Sequence, residues 1–239
     1  MAERANRQCM QLMDNLGVPS LEKQFISQHG ATVHAGPFQG LHYIERSAGS
    51  SLLPKLIGSY EQELNEELEK LLKVPFETII DVGCAEGYFA VGCAWRIPTA
   101  QVFAYDTNPG AQALCQELAS LNNAKVNLGR RCTPAILEER IKGATLVICD
   151  CEGYEFELLD PVKVPSLVNT SIVVEIHGPA EPLLDRFTAS HHIVSIFSQE
   201  RNIDGYPLIS DFTSEERKLA LAEFRHGIQQ WAVMIPASE

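Results

Sequence analysis

The sequence has no apolar run long enough to cross a membrane and no amino-terminal apolar stretch. A membrane-spanning helix needs about 20 consecutive, mostly apolar residues. Residues 1–17 are polar and mixed in charge, unlike a secretory signal peptide. We therefore expect a cytoplasmic protein with no membrane partner.

Basic residues are also scarce. The 239 residues include 19 Lys and Arg against 31 Asp and Glu, which gives a formal net charge of −12. An acidic surface repels phosphate backbones. Arg130 and Arg131 are adjacent, but two charges at a strand end make a small patch. We therefore expect no nucleic-acid partner.

The cysteines do not form a recognisable framework. There are seven of them, an odd number, and no C-x-x-C pair occurs. Cys149 and Cys151 flank a single residue, which is not a zinc-ligand spacing. This usage predicts free thiols in a reducing compartment and no structural zinc site.

From residue 76 onwards, short apolar runs alternate with helical stretches. The runs predict strands at 78–82, 101–105, 125–129, 145–149, 171–176, 192–197 and 231–235. Helical patterns fall between them at 88–96, 110–122, 134–141, 156–159 and 181–189. This alternation predicts an α/β fold, with a doubly wound, seven-stranded, mostly parallel sheet. The first, fourth and fifth runs are almost wholly apolar, as in strands covered on both faces.

Residues 1–75 have a different pattern and predict an amino-terminal helical or lid segment, preceding a ligand-binding domain at 76–239. Helices are predicted at 2–16 and 51–73, the second amphipathic. The loop at 30–43 carries Phe38 and Tyr43. Their rings would either cover a bound sugar as a lid or pack against the sheet.

The first strand ends in a glycine turn that leads into a helix, an arrangement that binds nucleotide-like ligands. The dinucleotide pattern G-x-G-x-x-G fails here, because its glycine positions fall on Gly83, Ala85 and Tyr88. The turn instead has Asp81 before it and Gly87 within it. We predict that it binds a nucleoside ligand without phosphates, through Asp81, Gly83, Cys84, Ala85, Gly87 and Tyr88.

A carboxylate follows the second strand at Asp106, where it would accept hydrogen bonds from two ribose hydroxyls. Its alternative role is to cap the next helix, but Asn108 suits that position better. Thr107 lies between them and joins the predicted ligand contacts, as does Asp150 after the fourth strand.

Two sets of motifs resemble known families. The segments D-V-G-C-A-E-G-Y and A-Y-D-T-N-P resemble motif I and the following acidic motif of class I methyltransferases, which have a Rossmann-like fold. The later I-C-D-C-E-G-Y-E-F-E-L-L and V-V-E-I-H are similar to the FkbM-type family, over roughly residues 76–200. The resemblance implies S-adenosyl-L-methionine as methyl donor and an antiparallel last hairpin. It also implies O-methylation of a hydroxyl on a sugar, glycan or other small natural product.

Four ionisable side chains follow the fourth and fifth strands: Asp150, Glu152, Glu175 and His177. Neighbouring parallel strands end at one edge of the sheet, so we expect these groups to converge there. We predict His177 as general base, with Asp150 or Glu175 orienting it or holding the substrate hydroxyl. In the alternative, His177 and Glu175 only fix the following loop. A divalent cation held by Asp150, Glu152 and Glu175 is a less favoured alternative, and we predict no metal ligands.

Two other functions stay open at this stage. One is an NAD-dependent oxidoreductase, which the failed glycine pattern disfavours. The other is a non-catalytic protein that keeps S-adenosylmethionine binding and has lost turnover. The expected partner is a small-molecule or saccharide acceptor, and the sequence leaves a homodimer open.

Overall fold

The computed structural model describes residues 11–225 and 227–237. Its strands form one seven-stranded sheet in the order β3-β2-β1-β4-β5-β7-β6. Strands β1 to β5 pair in parallel, and β7 runs antiparallel to both β5 and β6. The strands are β1 (Thr78–Val82), β2 (Gln101–Tyr105), β3 (Val126–Gly129), β4 (Thr145–Cys149), β5 (Ser171–Glu175), β6 (His191–Phe197) and β7 (Gln230–Pro236). The predicted fold class is confirmed.

Helices flank the sheet and precede it. They are α1 (Val18–His29), α2 (Leu52–Ile57), α3 (Asn65–Leu71), α4 (Tyr88–Arg96), α5 (Pro109–Leu121), α6 (Pro134–Arg140), α7 (Glu155–Leu158), α8 (Glu181–Leu184) and α9 (Ser214–Ala220). Single turns of 3₁₀ helix occur at Gln62–Leu64, Pro165–Asn169, Ile203–Gly205 and Pro207–Ile209. Within the described residues, no helix combines the length and apolar character needed to cross a bilayer.

The strands lie where the apolar runs predict them. Strands β1, β2 and β4 have the predicted bounds, and the other four differ by one residue at one or both ends. Every residue of β1 and β4 is buried, because helices cover the parallel sheet on both faces. The predicted helix at 181–189 is shorter than expected and ends at Leu184.

The single helix predicted at 51–73 is wrong. Helix α2 ends at Ile57 because Gly58 adopts a left-handed φ of 91°. A side chain at Gly58 would overlap the carbonyl group of Ala35, so the chain passes too close there for another residue. The chain turns again at Glu61, with φ 44°, before the 3₁₀ turn and α3. This break buries Tyr60 and Glu61 instead of leaving Glu61 on an exposed helix face.

The amino-terminal helix prediction at 2–16 lies mostly outside the described residues, of which 11–15 are helical. Helix α1 was not predicted, because Gly17 and Pro19 indicate the end of a helix. Here Gly17 is the N-cap of α1 and Pro19 lies in its first turn. Proline suits that position because the first backbone N–H groups of a helix have no intrahelical partner.

Two apolar cores cover the two faces of the sheet. Alternate strand residues such as Ile79 and Ile80 belong to different cores, as expected for a strand covered on both faces. The amino-terminal segment contributes to the first core, where Phe38 and Tyr43 are almost fully buried. These two rings therefore pack in the core and do not form a lid over a ligand. The boundary at residue 75 stays a prediction.

Candidate active site

The loop between β1 and α4 approaches the other strand ends very closely. The backbone N–H groups of Gly83 and Cys84 donate to the Tyr105 carbonyl oxygen at 2.8 and 3.1 Å. Gly83 has φ 88° and Gly87 has φ 94°. A Cβ atom at Gly83 would overlap the backbone carbonyl oxygen of Asp150. The glycine at 83 is therefore what allows the β1 and β4 ends to lie in contact.

Two carboxylates flank this loop. Asp81 is buried, and its Oδ2 atom has no hydrogen-bond partner within the described residues. Burial and the charge of Asp106 raise the pKa of Asp81 to about 7, although a backbone hydrogen bond from Ala90 opposes them. The Asp106 carboxylate accepts from Ala85 N at 3.0 Å and from Asn108 N at 2.8 Å. Both acids therefore stand at the point where the nucleoside ligand is predicted.

Asn108 caps α5, as the sequence indicates. Its side-chain oxygen accepts from Gly110 N at 2.9 Å. Asp106 is therefore not the helix cap, and each of its oxygens keeps a lone pair for another donor. Thr107, beside it, is exposed.

The side chains of Cys84 and Tyr88 belong to the apolar core. Both are buried, and the Tyr88 ring packs edge-on against Phe38 and Tyr60 at centroid distances of 5.1 and 5.3 Å. The prediction that the Tyr88 ring faces the ligand needs correction: as the first residue of α4, it points into the core. The described cysteines are all free thiols.

Beside the loop, the residues predicted after β4 and β5 do converge. His177 Nε2 lies 3.6 Å from Asp150 Oδ1 and 4.0 Å from Glu152 Oε2. The Asp150 side chain is 30% exposed and the Glu152 side chain 76%, whereas that of Glu175 is only 2% exposed. Asp150 is thus the carboxylate that is both held in the cluster and open to a ligand.

A fifth member of the cluster, Glu155, was not predicted. Its Oε1 atom accepts from the His177 backbone N–H at 2.8 Å and lies 3.4 Å from His177 Nδ1. Glu155 is fully buried, and its pKa is lowered because the His177 hydrogen bonds outweigh the effect of burial. The only sequence signal was its position in the acidic segment after β4.

The carboxylates make His177 strongly basic. Burial alone would lower its pKa, but Glu155, Asp150 and Glu175 together raise it to about 9. The imidazole is therefore protonated at neutral pH. A protonated imidazole has no free lone pair, so the predicted role of His177 as general base does not fit these surroundings.

Arg225, also missed, compensates the buried acids behind the cluster. Its guanidinium donates to Glu175 Oε1 at 2.6 Å and to Tyr60 Oη at 2.9 Å, and it contacts Glu61 and Glu223. Burial raises the pKa of Glu61 to about 8 against the lowering effect of Arg225. Arg225 lies in a segment without regular structure or motif, and Glu61 had been placed on a helix surface.

The arrangement changes the set of groups that could hold a cation. Asp150, Glu175 and His177 each offer an atom within 4.8 Å of the others. The predicted set had Glu152 in place of His177. Glu175 belongs to both sets, and Arg225 already donates to it. This carboxylate therefore already has a cationic partner.

The loop and its two acids fit a methyl donor of the nucleoside type. The unpartnered oxygen of Asp81 and the accepting oxygens of Asp106 offer sites for an amino group and ribose hydroxyls. Gly83 and Gly87, both with positive φ, form the tight backbone turn between β1 and α4. Asp150 comes directly after β4, the strand adjacent to β1.

Comparison with known proteins identifies the family. A family model described as FtsJ-like methyltransferase matches residues 62–187, more than half of the chain. The chain belongs to the FtsJ-like methyltransferase family. The matched part of this FtsJ-like methyltransferase includes the β1 loop, Asp106 and the cluster after β4 and β5. It excludes Glu61 and Arg225. The comparison with curated proteins finds no match.

The comparison with solved structures includes two methyltransferases that match about three quarters of this chain. A precorrin-6y C5,15-methyltransferase from Geobacter metallireducens is 12% identical, with a TM-score of 0.48, over 73% of this chain and 89% of that one. A ribosomal protein L11 methylase from Lactobacillus delbrueckii subsp. bulgaricus is 16% identical, with a TM-score of 0.45, over 74% and 78% of the two chains. The fold assignment itself rests on the strand order described above.

Proposed function

We propose that this FtsJ-like methyltransferase uses S-adenosyl-L-methionine to methylate a hydroxyl oxygen of a sugar, a glycan or another small natural product. The observation that carries the proposal is the contact between Gly83 and Asp150. It brings the predicted donor loop and a solvent-accessible carboxylate together at one edge of the sheet. Methyl transfer needs both the donor and the group that takes up the acceptor proton in the same place.

Asp150 is the general base in this proposal. Burial, Glu175 and Glu61 raise the pKa of Asp150 well above its usual value. A carboxylate with a raised pKa accepts a proton more readily. His177, protonated at neutral pH, lies 3.6 Å away and stabilises the Asp150 carboxylate.

The other predicted catalytic residues have supporting roles. Glu175 is buried against Arg225 and acts on Asp150 and His177 through its charge. Glu152 is exposed at the rim, where it can contact an acceptor. Glu155 accepts a hydrogen bond from the His177 backbone N–H, and its carboxylate lies beside the His177 ring.

The bound donor supplies an electrophilic methyl group on a sulfonium. The acceptor hydroxyl oxygen forms the new bond to the methyl carbon, and the sulfur keeps the electron pair of the broken bond. The hydroxyl proton passes to a carboxylate oxygen of Asp150. The chain supplies alignment and this proton acceptor, the two contributions that an in-line displacement requires.

The surroundings of Asp150 favour an acceptor that is not a polyanion. Glu152 stands at the rim with Asp150, and the whole chain has a formal net charge of −12. A phosphate backbone would be repelled at this edge. Arg131, one of the two adjacent arginines, stacks on the Tyr154 ring at 4.9 Å. The acidic segments that resemble the FkbM-type family support the choice of a hydroxylated small molecule.

Two measurements test the proposal. Calorimetric titration with S-adenosylhomocysteine, and separately with NAD, tests the donor site, and micromolar binding of the first alone is expected. Transfer of a labelled methyl group to hydroxylated saccharides and small phenols, with an RNA transcript in parallel, tests the acceptor class. Binding of NAD alone would reject the methyltransferase function. Labelling of RNA alone would reject the acceptor class, and binding without any transfer would favour a non-catalytic protein.

A further inference from the structure

A buried ion pair joins the amino-terminal segment to the donor loop. Lys55 Nζ contacts Glu86 Oε1, and the two side chains are 2% and 0% exposed. Lys55 lies in α2 and also donates to Ser50 Oγ at 2.6 Å. Glu86 lies between Gly83 and Gly87, within the loop itself. A buried charge is costly without its partner, so each of the two residues depends on the other.

The remaining contacts of Glu86 come from one stretch of chain, residues 43–55, which we call the strap. Tyr43 Oη and Ser47 Oγ donate to Glu86 Oε1 at 2.8 and 2.9 Å, and Ala48 N donates to Oε2 at 3.0 Å. Ser47 Oγ also accepts from Lys55 Nζ at 3.1 Å. A buried network in which every group is satisfied favours a single geometry, so the strap holds the Glu86 side chain in one position.

The loop needs such support because its backbone is in a disfavoured conformation. Ala85, just before Glu86, has φ 47°, in the left-handed region that residues with side chains rarely adopt. Asp106 Oδ2 holds Ala85 N on one side, and the strap holds Glu86 on the other. The strap precedes residue 62, so this support lies outside the part of the chain that the family model matches.

We propose that Lys55 is a positioning residue that keeps the donor loop in its binding conformation through the ion pair with Glu86. This inference rests on the proposed function, because it concerns the affinity of the same loop for the methyl donor. Without Lys55, burial disfavours the charged form of Glu86, and the carboxylate gains by moving towards water. Only molecules that retain the original loop then bind, and the apparent Kd rises by the inverse of their fraction.

The experiment compares three variants by calorimetric titration with S-adenosylhomocysteine. Lys55→Met removes the cation and keeps an apolar stem of similar length. Lys55→Met/Glu86→Gln removes both charges, and the glutamine oxygen still accepts from the strap. Arg46→Met is the matched control, since Arg46 lies on the strap and its partner Glu117 is in α5, with both side chains half exposed. Circular dichroism establishes the temperature at which each variant is folded.

In folded protein, Lys55→Met should raise the Kd for S-adenosylhomocysteine by about tenfold or more, because an uncompensated buried charge is strongly unfavourable. The double variant should return to within about threefold of the wild type, and Arg46→Met to within about twofold, as an exposed ion pair contributes little. Once an acceptor is identified, steady-state kinetics can be measured. The KM for S-adenosylmethionine should rise in Lys55→Met while kcat changes less, because the loop binds the donor.

Wild-type affinity in folded Lys55→Met would overturn the positioning role and leave the proposed function intact. If that variant does not fold, Glu86→Gln decides, because it breaks the ion pair and preserves the size of the side chain. A severalfold higher Kd supports the inference, and an unchanged Kd rejects it. Absence of S-adenosylhomocysteine binding in the wild type would instead reject the proposed function itself.

Discussion

Gly83 and Asp150 lie so close that a Cβ atom on the glycine would overlap the aspartate's backbone carbonyl oxygen. Gly83→Ala should therefore separate the β1 loop from the β4 end. Left-handed backbone strain alone costs about 1–2 kcal/mol. We expect the free energy of unfolding to fall by more than this amount. Binding of S-adenosylhomocysteine should fall below detection. Thermal unfolding and calorimetry measure the two effects.

The matched control for this substitution is Gly153→Ala. Gly153 also has a left-handed φ, 99°, and lies after β4, the strand adjacent to β1, but nothing lies within 4 Å of its added Cβ atom. It therefore carries the strain without the overlap. Equal losses in the two variants would mean that strain, and not the contact with Asp150, makes Gly83 necessary.

Asp150→Asn tests the assignment of the general base. Asparagine keeps the shape of the side chain and removes its ability to take up the acceptor proton. We expect kcat to fall by about 10²–10⁴-fold, the usual contribution of a positioned base, with a smaller change in the Kd for S-adenosylhomocysteine. Glu157→Gln is the control, because Glu157 is exposed in the short helix after β4. Full turnover in Asp150→Asn would exclude Asp150 as the base.

The sequence was sufficient to predict the sheet because the strands are short and mostly apolar, and β1 and β4 at its centre are buried at every residue. Strand β1 has the predicted bounds, and Asp81, Gly83 and Asp106 follow from where strands β1 and β2 end. The convergence of Asp150 and His177 also follows, since β4 and β5 are parallel neighbours. These residues lie at strand ends, where topology alone determines proximity.

The residues that the sequence did not reveal reach the site from irregular segments. Glu61 enters because Gly58 ends α2, and a helical pattern of apolar residues conceals that break. Arg225 is 50 residues from Glu175 in the sequence and comes from a loop without a motif. Long-range pairings of this kind depend on loop geometry. Because burying a charge is costly, the sequence indicates that a buried charge has a partner. It does not identify which residue that partner is.

The pH dependence of stability should report the ion pairs of His177. Its pKa is about 9 in the folded protein, above the usual 6.5. The stabilisation is therefore complete below about pH 6.5 and is lost as the pH rises through about 9, by about 3 kcal/mol at most.

Urea unfolding from pH 6 to 10 should show a steeper decline in the free energy of unfolding for the wild type than for His177→Gln. Glu61 also titrates near pH 8, so the difference between the two profiles, and not the wild-type profile alone, reports on His177. Parallel profiles would show that His177 is not charged in the cluster.

Arg225→Met should be strongly destabilising, because it leaves Glu175 and Glu61 buried without their cation. Loss of one partner of a buried ion pair costs about 3–5 kcal/mol, and urea unfolding at pH 8 measures it. Arg225→Met/Glu175→Gln should recover part of the loss, because one of the two uncompensated carboxylates is gone. Lys70→Met, which removes an exposed cation paired with Glu66, should change stability by less than about 1 kcal/mol. If the double variant is no more stable than Arg225→Met, then packing of the arginine stem, and not compensation of Glu175, explains the effect.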